Sequence, residues 1–275
     1  MPICAGDSPT TQGKANASKG NAREGMRQQA LRCIPRSIQF RMASTHGEMM
    51  MLPDLDGPRR MPRNGNPNAL VVLLHGYGAN GDDLIGLADH WRELLPDAAF
   101  VAPNAPESLP IAGFGGFQWF DLSTRSPEER WRGTQQAGPV LERFLASELA
   151  RLKLGAGRLA LVGFSQGTML SLHVGLRLLP PPAAILGYSG IIAGPEFLAA
   201  DRQTRGISAQ PPILLIHGEA DDVIPATALE STTNALSEAG LTSSWHLSPN
   251  LGHGIDMEGL ALGGRFLQQA LSPVA

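Results

Sequence analysis

Residues 161–167 read Leu-Val-Gly-Phe-Ser-Gln-Gly. One serine stands between two glycines, directly after an apolar run and directly before a helix-like segment. Glycine gives up more backbone freedom on folding than any other residue, so two of them around one polar side chain need a physical reason. A strand that turns sharply into a helix supplies it. Such a turn lifts the serine hydroxyl above the sheet edge, and the flanking glycines leave room where side chains would collide. The helix that follows directs the positive end of its dipole at the same place, where an anion would be stabilised. Ser165 is therefore the candidate nucleophile, set against the plainer reading of a turn serine.

From residue 69 onward, short apolar runs alternate with helix-like segments. The runs are 69–74, 98–102, 158–162, 183–188, 212–216 and 244–248, and they are continuous rather than alternating in polarity. That is expected of strands covered on both faces. Helices are predicted over 82–95, about 134–152, 168–179, 226–239 and 256–271, with Asp82 or Asp83 and Asp256 as N-caps. The fold class read from this alternation is α/β, an open and mostly parallel sheet with helices on both faces, in one domain spanning 51–275. The longest irregular stretch, 103–133, carries Phe114, Phe117, Trp119 and Phe120, which suit either a functional loop or packing against the body.

A serine hydroxyl is a poor nucleophile until a base takes its proton. Seven histidines are available. His46 lies near the N-terminus, His90 and His173 within helix candidates, and His246 inside a strand. His75 and His217 each end a strand before a glycine, and are read as shaping their loops. His253, in Asn-Leu-Gly-His-Gly-Ile-Asp past the last strand, has glycines on both sides that let a loop carry imidazole back over the sheet. It is the candidate base. An acid in the turn after 212–216 gives the order Ser, Asp, His, which fits an α/β-hydrolase and differs from that of chymotrypsin-like or subtilisin-like proteases. Spacing alone leaves Asp221 and Asp222 open. The backbone N–H of Gln166 is one candidate oxyanion donor. The second comes from the glycine-containing loop 75–81, which has neither the Walker pattern nor G-x-G-x-x-G.

The chain has 275 residues, 43 % of them hydrophobic and 17 % charged, with a net charge of −3. Residues 1–50 hold seven Lys/Arg against three Asp/Glu, leaving 15 basic and 22 acidic residues in the remainder. The basic segment is expected to be a disordered extension, by composition a faint match to a transit peptide or simply an overlong start. A net negative body argues against nucleic acid as a partner. No apolar stretch reaches the roughly 18–20 residues that span a bilayer. Cys4 and Cys33 both lie in the extension, so the body offers no disulfide, thiolate metal site or cysteine nucleophile. No metal or organic cofactor is required, and a cytoplasmic location is expected.

Taken together, the motifs L-L-H-G-Y-G-A-N-G-D-D-L, F-V-A-P-N-A-P, Q-W-F-D-L, G-F-S-Q-G, H-G-E-A-D-D-V-I-P and G-H-G-I resemble the phospholipase/carboxylesterase family of α/β-hydrolases, which includes acyl-protein thioesterases. The resemblance covers about residues 53–272. It implies a small hydrolase of carboxylic esters or thioesters, without a large cap domain, acting on a small-molecule or lipid substrate. It also implies that the triad acid is the fourth residue after His217, hence Asp221, and that the second oxyanion donor is Tyr77. The Q-W-F-D stretch resembles the border of the acyl pocket, making Trp119 and Phe120 substrate-contact candidates. The extension has no counterpart in the family pattern. Two other readings use the same residues: an amidase or peptidase, separable by matched ester, thioester and amide substrates, and a non-catalytic binding protein, separable by fluorophosphonate labelling with turnover. Oligomeric state stays open.

Overall fold

The computed structural model describes residues 52–272 apart from residues 64, 112 and 113. The basic extension, its two cysteines and His46 lie outside the described residues. Seven strands form one sheet: β1 (Arg59–Arg60), β2 (Ala69–Leu74), β3 (Ala98–Val101), β6 (Leu159–Phe164), β7 (Ala184–Tyr188), β8 (Ile213–Gly218) and β9 (Ser244–Ser248). Their spatial order is β1-β3-β2-β6-β7-β8-β9. All neighbours run parallel except β1, which pairs antiparallel with β3. β4 (Glu107–Ile111) and β5 (Phe114–Gln118) make a separate antiparallel hairpin.

The continuous apolar runs have the cause inferred for them. On β2, Ala69, Val71 and Leu73 join one core cluster, and Leu70, Val72 and Leu74 join another on the opposite face. The first face is covered by α1 (Gly81–Ile85), α2 (Leu87–Trp91) and α7 (Met257–Leu271), through Leu84, Trp91, Leu260 and Leu267. The second is covered by α3 (Pro127–Leu152) and α4 (Gln166–Gly175), through Leu141, Phe144, Met169 and Leu170. A third cluster packs α5 (Pro195–Thr204) and α6 (Thr227–Glu238) on β7 and β8. Each fully buried Leu, Ile or Val contributes about 1.5–3 kcal/mol, which explains why both faces of one strand are apolar.

The predicted helix 82–95 is two short helices, and its cap is Asn80, whose side chain accepts from the amides of Asp82 and Asp83 while Asp83 bonds back to Asn80 N. Asp256 caps α7 as expected, its Oδ1 accepting from Gly259 N at 2.7 Å. The segment 103–133 is not irregular throughout: it holds the β4–β5 hairpin and the start of α3, capped by Ser126.

The chain moves outward from β2 to β3 and then returns to β6 on the other side of β2, so strand order reverses between β2 and β6. Beyond the carboxyl ends of strands at such a point an open α/β sheet leaves a crevice for ligands.

Candidate active site

Ser165 occupies that crevice, between β6 and α4. Its backbone has φ 54° and ψ −113°, a region side chains seldom occupy, and it is 9 % exposed. Its amide donates to Tyr188 O at 2.9 Å and its carbonyl accepts from Thr168 N at 3.0 Å. The two glycines are there for closeness. A Cβ on Gly163 would strike the backbone of Gly167 and Thr168, and one on Gly167 would stand 2.5 Å from the carbonyl carbon of Leu74. Only glycine lets β2, β6 and α4 meet this tightly. The helix starts at Gln166, two residues earlier than predicted, so its N-terminus adjoins the serine.

The acid and base loops are laced together. Glu219 N donates to Ser248 O at 2.9 Å and Ala220 N to Leu251 O at 2.8 Å. Asp221 and His253 meet across this seam, with His253 Nδ1–H donating to Asp221 Oδ2 at 2.8 Å. The other carboxylate oxygen accepts from Val223 N and Ile224 N, both at 2.9 Å. Burial alone would raise the Asp221 pKa, but the hydrogen bonds from His253, Ile224 and Val223 outweigh it and hold the carboxyl below its ordinary value. The Asp221 side chain is 0 % exposed and that of His253 is 18 %. Asp222, the other candidate that spacing left open, is exposed. The His253 ring lies 5.0 Å from that of Phe164, the residue before Ser165. Ser189 Oγ–H donates to Gly254 O at 3.3 Å, tying the base loop to the end of β7.

The loop after β2 passes over the serine: a Cβ on Gly76 would lie 3.3 Å from Ser165 Cβ. Tyr77 comes next. Among the described residues, neither Tyr77 N nor Gln166 N donates to a protein acceptor. The loop is held by His75, whose Nδ1–H donates to Gly76 O at 2.7 Å while Nε2 accepts from Ala105 N at 3.0 Å.

Trp119 and Phe120, the substrate-contact candidates, lie further inward than expected. Each is 2 % exposed and part of the core cluster beneath the site, so neither lines an open pocket. Trp119 donates from its indole to His75 O at 2.9 Å and from its backbone to Gln166 Oε1 at 2.9 Å. Sequence reasoning missed the Gln166 side chain, whose polarity inside an otherwise apolar helix start was the available signal. It also missed Ser189, for which no motif gives a signal.

A model of the phospholipase/carboxylesterase family matches residues 58–271. The chain belongs to this family. It is an α/β-hydrolase, and membership makes it a serine hydrolase acting on ester bonds. Acyl-protein thioesterase 1 of Gibberella zeae is 26 % identical over 227 residues, covering 78 % of this chain and 96 % of that protein. Acyl-protein thioesterase 1 of Neurospora crassa is 28 % identical over 235 residues, covering 79 % and 93 %. Among solved structures, esterase PE8 is similar with TM-score 0.73 and 43 % identity, covering 80 % of this chain and 100 % of that one. Zea mays acyl-protein thioesterase 2 follows with TM-score 0.62 and 26 % identity, covering 78 % and 98 %. Among the described residues no helix is long and apolar enough to cross a membrane.

Proposed function

We propose that Ser165, His253 and Asp221 form a Ser-His-Asp triad that hydrolyses carboxylic esters and thioesters through an acyl-enzyme. The observation that carries this is the 2.8 Å bond from the His253 imidazole to a buried, ionised Asp221 at the same sheet edge as Ser165. The ring's Nε2 is left to take the Ser165 proton as Oγ attacks the acyl carbon. Among the described residues Ser165 Oγ has no hydrogen-bond partner, and a serine–histidine contact of this type tightens when substrate arrives. The N–H groups of Tyr77 and Gln166, which lack protein acceptors, then bind the oxyanion. His253 passes its proton to the departing alcohol or thiol. Water, deprotonated by the same ring, attacks the acyl-serine; the proton returns to Ser165 Oγ and the carboxylic acid leaves.

With Trp119 and Phe120 in the core, the acyl chain needs another place. The place proposed for it is a hollow of about 230 Å³ bordered by Pro127, Arg130, Ile191, Ile192, Pro195 and Glu196, whose lining begins one residue after Gly190, a glycine whose added Cβ would lie 3.0 Å from Ser165 O. Ile191, Ile192 and Pro195 give it an apolar side against which a short or medium acyl chain can lie. The substrates proposed are therefore short- and medium-chain esters and thioesters, cleaved by a cytoplasmic protein.

Ser165→Ala, assayed on an ester series of rising chain length, is expected to lower turnover by roughly 10³ or more. In the parent, kcat/KM is expected to stop rising near the length that fills the hollow. Turnover of the alanine variant within tenfold of the parent would end the assignment.

A further inference from the structure

The two amides assigned to the oxyanion hole stand on separate elements. Gln166 opens α4, whereas Tyr77 belongs to the loop after β2. A hole made of two independently supported donors works only if their spacing is fixed, since a misplacement of about 1 Å can cost on the order of 10²-fold in rate. Both supports lead to Trp119. Its backbone N–H donates to the side-chain Oε1 of Gln166 at 2.9 Å, and Gln166 Nε2 completes the clamp on Phe120 O at 2.7 Å. Its indole N–H reaches the other way, to His75 O at 2.9 Å, two residues before Tyr77. The His75 ring lies 5.3 Å from the indole. His75, Trp119, Phe120 and Gln166 are all buried, so these bonds are undiluted by solvent and every donor in the chain has an acceptor.

We propose that Trp119 is a positioning residue, a strut joining the two halves of the oxyanion hole and setting the spacing of the Tyr77 and Gln166 amides. It never touches substrate, and the inference rests on the assignment of those amides given above. Ordinary aromatic packing is the competing account, and the two differ in what a substitution changes. Packing alone predicts lower stability with unchanged chemistry at every folded site. A strut predicts slower chemistry at sites that are folded and otherwise competent, because the lost interaction matters most when charge develops on the oxygen.

The test uses Trp119→Phe, which removes the indole donor, and Gln166→Met, which removes the clamp at similar length while keeping the backbone N–H. Each is measured as kcat per serine titrated to completion with a fluorophosphonate, together with KM and inhibition by a trifluoromethyl ketone that forms a tetrahedral adduct. The strut requires kcat per titrated serine to fall about tenfold or more in each, with KM within about twofold and ketone affinity weakened in step. The double variant should lose little more than the worse single one, because the two substitutions break one connection. Unchanged kcat per titrated serine, with only a lowered melting temperature, overturns the proposal, and so do additive losses. Should Trp119→Phe fail to fold, Gln166→Met alone decides. If the parent does not label, or Ser165→Ala stays active, the site assignment itself has failed; labelling with unaffected kcat in the variants removes only the strut.

Discussion

Two loops of this sheet begin with the same dipeptide. His75-Gly76 follows β2 and His217-Gly218 closes β8, and both imidazoles are buried. Their bonding differs. His75 is satisfied by backbone on both sides, through Gly76 O and Ala105 N, and burial, partly opposed by the bond to Gly76, lowers its pKa. His217 donates from Nε2 to Ile224 O at 2.8 Å and lies 3.3 Å from Asp221 Oδ2. One imidazole shapes the loop after β2 through backbone bonds, with only a minor influence from the Asp83 charge, and the other braces the loop after β8 beside the Asp221 carboxylate. A third pair of the same kind, His253-Gly254, holds the proposed base. What distinguishes it is partial exposure together with a buried carboxylate partner, neither of which the dipeptide encodes.

The largest effect expected from breaking this pattern is at the exposed imidazole. His253→Gln should lower kcat by about 10³ or more while leaving the urea midpoint nearly unchanged. A comparable loss from His75→Gln, with His253→Gln active, would reverse the assignment. At the next level the two buried rings should separate from each other. His217→Leu removes the brace beside Asp221 and is expected to reduce kcat by about 10–100-fold, because the acid loop loses its anchor. His75→Leu leaves the Ala105 amide and Gly76 carbonyl unpaired in the core, and should cost about 1–3 kcal/mol of stability in urea unfolding. Equal kcat losses in both would erase the contrast.

The smallest effect concerns a third buried imidazole. His173 on α4 packs 5.3 Å from Trp131, and burial first, then Arg177 and Arg205, depress its pKa from 6.5 to about 3. Because the folded value lies below the unfolded one, the unfolded chain takes up the proton first. The stabilisation is complete above about pH 6.5 and is lost as pH falls towards 3. This predicts a loss of about 1 kcal/mol by pH 6, growing at lower pH, which His173→Phe should remove from the pH dependence of the urea midpoint. The Asp221 carboxyl, whose folded pKa is lowered, acts in the same direction at more acidic pH, with stability present above 3.8 and lost as pH falls through the folded value.

The parallel strands were readable because burial on both faces writes an uninterrupted apolar run. Elements without that signature were not. β1 is two arginines paired at the sheet margin, and β4–β5 runs through Pro110, Gly115 and Gly116, residues that ordinarily break strands. α5 was missed although Gly194-Pro195-Glu196 is a fair helix opening, because its following residues carry little apolar periodicity. At the proposed site, the glycines around Ser165 and His253 were what singled these two residues out in the sequence. Spacing left Asp221 and Asp222 open and the family resemblance pointed to Asp221, whereas the inward placement of Trp119 and Phe120 needed the packing of α3 and α4, which no local motif records.

The backbone of Ser165 sets endurance against chemistry at one residue. Holding a side chain at φ 54° costs about 1–3 kcal/mol that glycine would not incur, so selection for heat resistance alone would favour an inert chain here. With serine at this position, the rest of the sheet carries a standing mechanical load, and the proposed nucleophile is the hydroxyl on whose behalf it is carried.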